Sequence, residues 1–362
     1  MQQLTTPAVL VLSGGAPNSP LVAGALAAIY SQGKTFNVIY TSGAGALLGM
    51  LFLAPKGRTV PDALKATLDC AIDDRIYNFF PVGYKTFFKS GPFTTTFIKA
   101  AQAFQITNPK ISAAKRRLYN DWIDFWFAAA CPTNLSLQSL GLCHPVPFVS
   151  DVVDFNVLSG PGMRGRFFMN AYCIEDASTQ NFGNEEITED HFHAALAFPF
   201  VYSPAVIKGK HYLEGSDVDP INFPQLEKLV IDKVIGPRPT LVLMDLLGAF
   251  EGALVRTPRN LLDAFGISII SPICSLAKKC RENYELQPHA KQIYCIAFNV
   301  EPSRKQFMLD WTYSNMTYLW QVGWDAGIRF ASKYPDVLPD RIVEPGATDT
   351  PQPETESGDS RP

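Results

Sequence analysis

Residues 36–49 read FNVIYTSGAGALLG, and this stretch decides the fold. The residues at 36–40 include three β-formers in a row and favour a buried strand. Residues 44–48 are small and then apolar, as in a helix that packs closely against a sheet. The sequence therefore predicts a strand, a tight turn at 41–45 and a helix.

The turn at 41–45 has the spacing of a nucleophile elbow, G-x-S-x-G, in which a catalytic serine stands on a sharp strand-to-helix turn. If Gly45 is the second glycine of the pattern, Thr41 takes the first position and Gly43 takes the position of the nucleophile. Gly43 has no side chain to supply one. Ser42 lies one residue early, and Tyr40 is then bulky where the elbow needs a small residue. We therefore expect Ser42 to point away from the site.

Composition narrows the class of protein. The chain has 362 residues, 47% of them apolar, and a formal net charge of −3, so it can bury a large core and has no excess of positive charge for nucleic acid. Its seven cysteines are scattered, which favours reduced thiols and a cytoplasmic location, and no spacing indicates a metal site or a cofactor. We expect neither a signal peptide nor a transmembrane helix.

A second strand–turn–helix unit precedes the first one. Residues 8–12 are wholly apolar, residues 13–20 form a turn that contains Gly14, Gly15 and Ala16, and a helix is predicted over 21–32. Two such units in succession predict a parallel sheet with helices on its faces. Turns at the carboxyl ends of such strands commonly form sites, and backbone N–H groups of a glycine-rich turn can hold an oxyanion.

An acid also stands at a predicted strand end. Tyr212 and Leu213 favour a strand, and Glu214, Gly215 and Ser216 form a turn after it. A carboxylate in such a turn can serve as a general base or simply stabilise the turn.

The remaining predictions concern the periphery. Residues 77–145 are rich in phenylalanine and tryptophan, and the alternatives are a lid that lines an acyl site or touches a membrane, and an accessory core. Helices are predicted at 61–76, 119–130 and 316–333, and strands at 166–173, 240–244 and 292–300. Residues 337–362 are polar and predicted to be disordered. We expect one domain over 1–336.

Three stretches together resemble the patatin-like phospholipase family. Residues 11–26 (VLSGGAPNSPLVAGAL) resemble its oxyanion loop, residues 36–49 its nucleophile elbow, and residues 194–216 its proline-containing segment and aspartate turn. The resemblance implies a three-layer α/β/α sandwich with a central, mostly parallel sheet. It also implies acyl-ester hydrolysis by a Ser-Asp dyad, with a lipid or acyl ester as ligand and the oxyanion loop at Gly14, Gly15 and Ala16.

The family's site is altered in this chain. Ala16, Asn18 and Ser19 depart from its loop, Gly43 stands at the serine position, and Glu214 stands at the aspartate position. Three alternatives follow. Ser42 acts as the nucleophile, Glu214 activates a water directly, or the chain is a non-catalytic pseudohydrolase that binds lipid, acyl chains or a protein. We expect the protein to be cytoplasmic and able to contact a membrane as a peripheral protein. The sequence does not indicate the oligomeric state.

Overall fold

The computed structural model of the chain describes residues 8–14, 18–145, 148–161, 163, 165–221, 223–235, 239–244, 258, 261–286, 293–301, 303–304 and 310–341, without the side chains of residues 224, 262 and 263. The strands in these ranges are β1 (Ala8–Leu12), β2 (Val38–Thr41), β3 (Gly141–Cys143), β4 (Arg166–Cys173), β5 (Ser178–Gly183), β6 (Phe200–Tyr202), β7 (Ala205–Ile207), β8 (Lys210–Glu214), β9 (Thr240–Met244) and β10 (Ile293–Ile296).

The α-helices are α1 (Ser19–Ser31), α2 (Gly45–Leu53), α3 (Val60–Lys65), α4 (Asp74–Phe79), α5 (Thr94–Phe104), α6 (Ala113–Ala130), α7 (Val149–Val152), α8 (Phe155–Ser159), α9 (Glu189–Ala195), α10 (Phe223–Ile231), α11 (Leu261–Glu285) and α12 (Tyr313–Lys333). Two short 3-10 turns cover Ala66–Cys70 and Gly215–Asp217.

A central, mostly parallel sheet organises the domain. Its strand order is β10-β9-β1-β2-β4-β8-β7, and β5 pairs with the free side of β4. The pairs from β10 to β4 are parallel, whereas β5, β7 and β8 run antiparallel to their neighbours. The predicted parallel sheet is confirmed in its centre, and an antiparallel extension carries Glu214.

Alternate residues of the central strands enter two separate cores. Leu10 and Ile39 belong to the core that includes residues of α1, α2 and α12. Val9 and Val38 belong to the core on the other face, with residues of α10 and α11. Because side chains alternate along a strand, one buried sheet supports a helical layer on each face. The fold is therefore the predicted three-layer α/β/α sandwich.

Glycine allows α1 and α12 to pack with their backbones in contact. A Cβ atom on Gly323 would overlap the carbonyl oxygen of Leu21, and one on Gly24 would lie 2.9 Å from the backbone nitrogen of Trp324. Such contact leaves no room for any side chain at these two positions. This packing fixes the helix that follows the glycine-rich turn at the end of β1.

Most predicted elements are present with adjusted bounds. The strands at 8–12, 166–173 and 240–244 have the predicted ends, and the helices predicted at 119–130 and 316–333 begin earlier, at Ala113 and Tyr313. The single helix predicted over 61–76 is wrong, because the segment divides into α3, a 3-10 turn and α4. The chain leaves the helical path where Ile72 donates to the Trp311 carbonyl at 2.8 Å.

The aromatic-rich segment 77–145 divides into buried and exposed parts. Tyr77 and Tyr84 pack in a core with Trp311, whereas Phe104 and Trp126 on α5 and α6 are largely exposed. Its last strand, β3, pairs with β6. The segment thus supplies both an accessory core and an exposed helical hairpin, and whether it moves as a lid stays a prediction.

The start of the predicted tail packs against the domain. Leu338 is buried, and the Asp340 carboxylate lies 2.6 Å from the Lys34 ammonium. Residues 342–362 lie outside the described residues. Among the described helices, none has the length and apolar character needed to cross a bilayer.

Candidate active site

The ends of three strands meet at one place. Leu12 pairs with Thr41 in the β1–β2 ladder, so Gly14 and Gly43 follow neighbouring strand ends. Thr41 pairs with Met169 of β4, and Glu214 of β8 pairs with Ala171, two residues further along the same strand. This register places the Glu214 carboxylate just beyond the end of β2, beside the elbow.

Gly43 has the backbone conformation of a strained turn. Its φ angle is +52°, in the left-handed region that glycine adopts at little cost. A Cβ atom on Gly43 would overlap Glu214 Oε1 and would lie 2.9 Å from Ser216 Oγ. The elbow geometry is therefore present, but the glutamate and the serine occupy the volume that a side chain at position 43 would need.

Glu214 and Ser216 form a hydrogen-bonded pair in this volume. The Ser216 hydroxyl donates to Glu214 Oε1, and both residues are buried, with 2% and 8% of their surfaces exposed. Gly14 closes the other side, since a Cβ atom placed on it would lie 2.8 Å from Ser216 Oγ and 3.4 Å from Glu214 Oε1. Four predicted site residues, Gly14, Gly43, Glu214 and Ser216, thus come together.

Burial is the main determinant of the Glu214 charge. Burial, and next the neighbouring Asp217 carboxylate, raise the pKa of Glu214 to about 8, although the Ser216 hydrogen bond acts to lower it. Burial also raises the pKa of Asp217 to about 6. A carboxyl group with such a pKa can accept or return a proton near neutral pH, as general acid–base catalysis requires.

Ser42 is separate from this pair. It is buried, its backbone N–H donates to the Leu12 carbonyl at 2.9 Å, and its hydroxyl has no hydrogen-bond partner among the described residues. A serine that acts as a nucleophile needs a base within hydrogen-bond reach. The described contacts give Ser42 no such base.

The other predicted site residues hold the turns in place. Thr41 Oγ1 donates to the Phe168 carbonyl at 3.0 Å, which ties the end of β2 to β4. Gly45 begins α2 beside β1, where a Cβ atom would lie 3.0 Å from the Leu12 carbonyl oxygen. Gly215 starts the 3-10 turn that brings the Ser216 hydroxyl close to the Glu214 carboxylate. Gly15 and Ala16 lie outside the described residues.

Sequence reasoning missed Asn170 as a support for the site. Asn170 is fully buried in β4, its amide donates to the Asp219 carbonyl at 3.3 Å, and a Cβ atom on Gly215 would lie 2.6 Å from its Oδ1. Asn170 therefore contacts both ends of the turn at 215–219 and holds it in place. The available signal was its polarity in the otherwise largely apolar stretch FFMNAYC.

The match to known proteins agrees with this architecture. The sequence model described as "Patatin-like phospholipase" matches residues 10–226. The chain therefore belongs to the patatin-like phospholipase family, as the three motifs predicted, and this assignment supports a lipid hydrolase at the level of the family.

A solved structure is also similar to this chain. VipD from Legionella pneumophila is similar over 91% of this chain and 67% of its own, with 13% sequence identity and a TM-score of 0.39. No curated protein matches the chain.

Proposed function

We propose that this protein is a lipid acyl-ester hydrolase of the phospholipase A or lipase type, with Glu214 as its general base. The observation that supports this proposal is the position of the Glu214 carboxylate against Gly43, the nucleophile position of the family's elbow. The carboxylate is buried and its pKa is raised to about 8, which suits a group that exchanges protons in each cycle.

The substrate follows from the family and from the group that the site would need to bind. An ester carbonyl placed beside Gly14 and Gly43 would be next to a base and to the start of the glycine-rich turn. Backbone N–H groups of such a turn stabilise the oxyanion that forms when an ester is attacked. The proposal includes peripheral contact with a membrane, because that is where lipid esters are found.

The competing function is a non-catalytic protein on the same fold that binds lipid, acyl chains or a protein. The absence of a side chain at Gly43 favours it, since the usual nucleophile is missing. Both functions use the same fold, so only a measurement of turnover separates them.

The test is hydrolysis of short and long acyl esters and of phosphatidylcholine vesicles by the purified protein. We expect turnover that Glu214→Gln lowers by at least about 100-fold, because removal of a general base typically costs two to four orders of magnitude. Glu185→Gln, at an exposed glutamate, is the matched control. A folded wild-type protein without turnover on any of these esters would refute the hydrolase and favour the binding protein.

A further inference from the structure

The pair formed by Ser216 and Glu214 has the composition of a catalytic dyad. We infer that Ser216 is the nucleophile of this protein, moved from the elbow to the turn after β8. This inference rests on the proposed function. It differs from the three alternatives drawn from the sequence, which invoked Ser42, a water molecule or no chemistry.

The position of Ser216 Oγ is the first argument. The oxygen lies 2.9 Å from the Cβ position of Gly43 and 2.8 Å from that of Gly14. It therefore occupies the volume into which a serine at the elbow would extend, between the elbow and the glycine-rich turn. A nucleophile there faces the same surroundings as one at position 43.

The hydrogen bond to Glu214 is the second argument. A serine hydroxyl becomes nucleophilic when an adjacent base takes its proton, and Ser216 already donates to Glu214 Oε1. The 3-10 turn at Gly215–Asp217 sets this geometry, because it folds the residue two places after the acid back onto the acid's own side chain. The longer side chain of glutamate allows that contact.

The substitutions at 43, 214 and 216 are then mutually consistent. A glutamate at 214 leaves no space for a side chain at 43, and a glycine at 43 leaves space for Ser216 and Glu214. If the site had only lost its serine at position 43, we would not expect an acid and a hydroxyl to be hydrogen-bonded in the volume that this serine would fill.

The proposed reaction has two steps. Ser216 Oγ attacks the ester carbonyl carbon while its proton passes to the Glu214 carboxylate, and the alcohol leaves with that proton as the carbonyl is restored. Water then attacks the acyl-serine, gives a proton to Glu214, and Ser216 recovers it as the fatty acid leaves. The net reaction is ester and water to acid and alcohol, with no other reactant.

The test combines covalent labelling with turnover of the same acyl esters. We expect a fluorophosphonate adduct on Ser216, mapped by peptide mass, and a loss of turnover of at least about 100-fold in Ser216→Ala, with Ser178→Ala as the exposed-serine control. The double variant Ser216→Ala/Glu214→Gln should be no slower than either single variant, because members of one dyad act as a unit.

Other outcomes overturn the inference and remain distinct from failure of the proposed function. Turnover that persists in Ser216→Ala but is lost in Glu214→Gln would mean direct attack by water, and an adduct on Ser42 would place the nucleophile at the elbow. In both cases the protein is still a hydrolase. The mapping of the adduct uses the wild-type protein and does not depend on the folding of any variant.

A different observation, the exposed hairpin of α5 and α6, supports a second inference, which rests on the proposed contact with a membrane and assigns it to a surface. Its surface has an open groove of about 310 Å³ lined by Phe104, Tyr119, Trp122, Ile123, Trp126 and Phe127. Phe104 is 67% exposed and Trp126 is 62% exposed. Large aromatic side chains in such a patch mark an interaction surface.

The charges on this hairpin indicate what covers the groove. Residues 94–130 contain five basic and two acidic residues, although the whole chain has a net charge of −3. The two acids are engaged internally, Asp121 with Lys85 at 2.5 Å and Asp124 with Gln105 at 3.1 Å. Lys99, Lys110 and Lys115 are exposed and make no ion pair with a described residue. The outward charge of the hairpin is therefore positive.

The cations lie beside the aromatic groove. Lys115 is one helical turn before Tyr119 and two turns before Ile123 on α6, so the three share a face. Lys110 is in the connection between the two helices. We propose that this surface binds an anionic lipid bilayer, with the aromatic rings at the interface and the lysines on lipid phosphates.

The test is sedimentation with vesicles of phosphatidylcholine alone or mixed with phosphatidylserine. We expect the protein to bind the mixed vesicles. Phe104→Ala/Trp126→Ala should weaken this binding by at least about 10-fold. Lys110→Gln/Lys115→Gln should weaken the binding and also make it less sensitive to salt. Leu286→Ala and Lys278→Gln, both at exposed positions away from the hairpin, are the matched controls. The readout is binding, so it is independent of turnover.

Two outcomes would overturn this second inference. The first is absence of binding to the mixed vesicles, or binding that the hairpin variants leave unchanged. The second is a dimer in solution that Phe104→Ala/Trp126→Ala dissociates, which would identify a second copy of the chain as the occupant of the groove.

Discussion

Glu214 Oε1 occupies the position where a side chain on Gly43 would begin. This relationship joins two departures from the family pattern that are 171 positions apart in the sequence. Glu214 fits in this position only because residue 43 has no side chain, and the pair defines what the site can contain.

Gly43→Ser should therefore destabilise the protein without restoring the family's dyad. A positive φ costs a non-glycine residue about 1–2 kcal/mol, and the overlap with Glu214 adds to that cost. Gly33→Ser is the matched control, because Gly33 has a φ of +71° and no atom within 4 Å of its Cβ position. Urea denaturation should give a larger loss of unfolding free energy for Gly43→Ser than for Gly33→Ser.

Replacement of Glu214 by the shorter aspartate should recover part of the stability that Gly43→Ser loses. Glu214→Asp withdraws the carboxylate from position 43, so the double variant with Gly43→Ser should be more stable than the sum of the single changes predicts. The same acid change combined with Gly33→Ser should be additive. Equal coupling in both pairs would contradict the direct contact between residues 43 and 214.

The pH dependence of stability should show the raised pKa of Glu214. The unfolded chain binds the proton with a pKa near 4.5 and the folded protein with a pKa of about 8. Between these values the folded state holds more protons than the unfolded state, so the free energy of unfolding falls as pH rises, by a few kcal/mol in order of magnitude. Glu214→Gln should flatten this slope in denaturation measurements from pH 5 to pH 8.

Turnover should respond to pH in the opposite direction. Glu214 must be ionised to accept a proton, so the rate should rise toward about pH 8 as stability declines. A rate that is constant from pH 5 to pH 8 in a stable enzyme would show that another group is the base.

The sequence predicted the layers of the fold more accurately than the chemistry of the site. Buried strands such as β1 and β9 are short apolar runs between turns, so their bounds follow from local composition. The break at residue 72 does not, because it depends on a hydrogen bond to Trp311, far along the chain. Secondary-structure propensity depends on residues that are close in the sequence, so it cannot predict this hydrogen bond.

In the candidate active site, too, some residues could be assigned from the sequence and others only from the structure. Gly43 and Glu214 could be assigned by their positions in motifs, whereas the role of Ser216 depends on the register between β4 and β8 and on the turn after Glu214. Neither the register nor the direction of a hydroxyl is encoded by spacing alone. Ser216 is therefore distinguished by its contacts in the structure and not by its position in the sequence.

Two adjacent buried hydroxyls should have opposite effects on stability when removed. Ser42 Oγ is buried without a partner among the described residues, so Ser42→Ala should leave stability unchanged or raise it by about 1 kcal/mol. Thr41 Oγ1 donates to Phe168, so Thr41→Val should lower stability by about 1 kcal/mol. Thermal unfolding of the two variants tests this contrast, and a clear loss in Ser42→Ala would reveal a partner for its hydroxyl.

Asp121 should be the residue that attaches the α5–α6 hairpin to the domain. It is 1% exposed, pairs with Lys85 at 2.5 Å and accepts from the Asp73 backbone N–H at 2.5 Å, while Tyr84 donates to its carbonyl at 2.9 Å. Asp121→Ala would remove the carboxylate from the half-buried Lys85 ammonium and from the Asp73 backbone N–H, while Lys85 would keep the Ala71 carbonyl at 2.7 Å. The loss of a buried hydrogen-bond acceptor typically costs about 1–3 kcal/mol. Urea denaturation of this variant should show a loss of that size.

The double variant Lys85→Met/Asp121→Leu separates the charge from the packing. Replacement of a buried ion pair by apolar residues of similar volume is often neutral or stabilising, so the double variant should recover much of the stability that Asp121→Ala loses. If it does, the loss in Asp121→Ala comes mainly from the Lys85 charge left without its carboxylate. If the double variant is as unstable as Asp121→Ala, the backbone N–H of Asp73 is the partner that matters, and the hairpin is attached through that hydrogen bond.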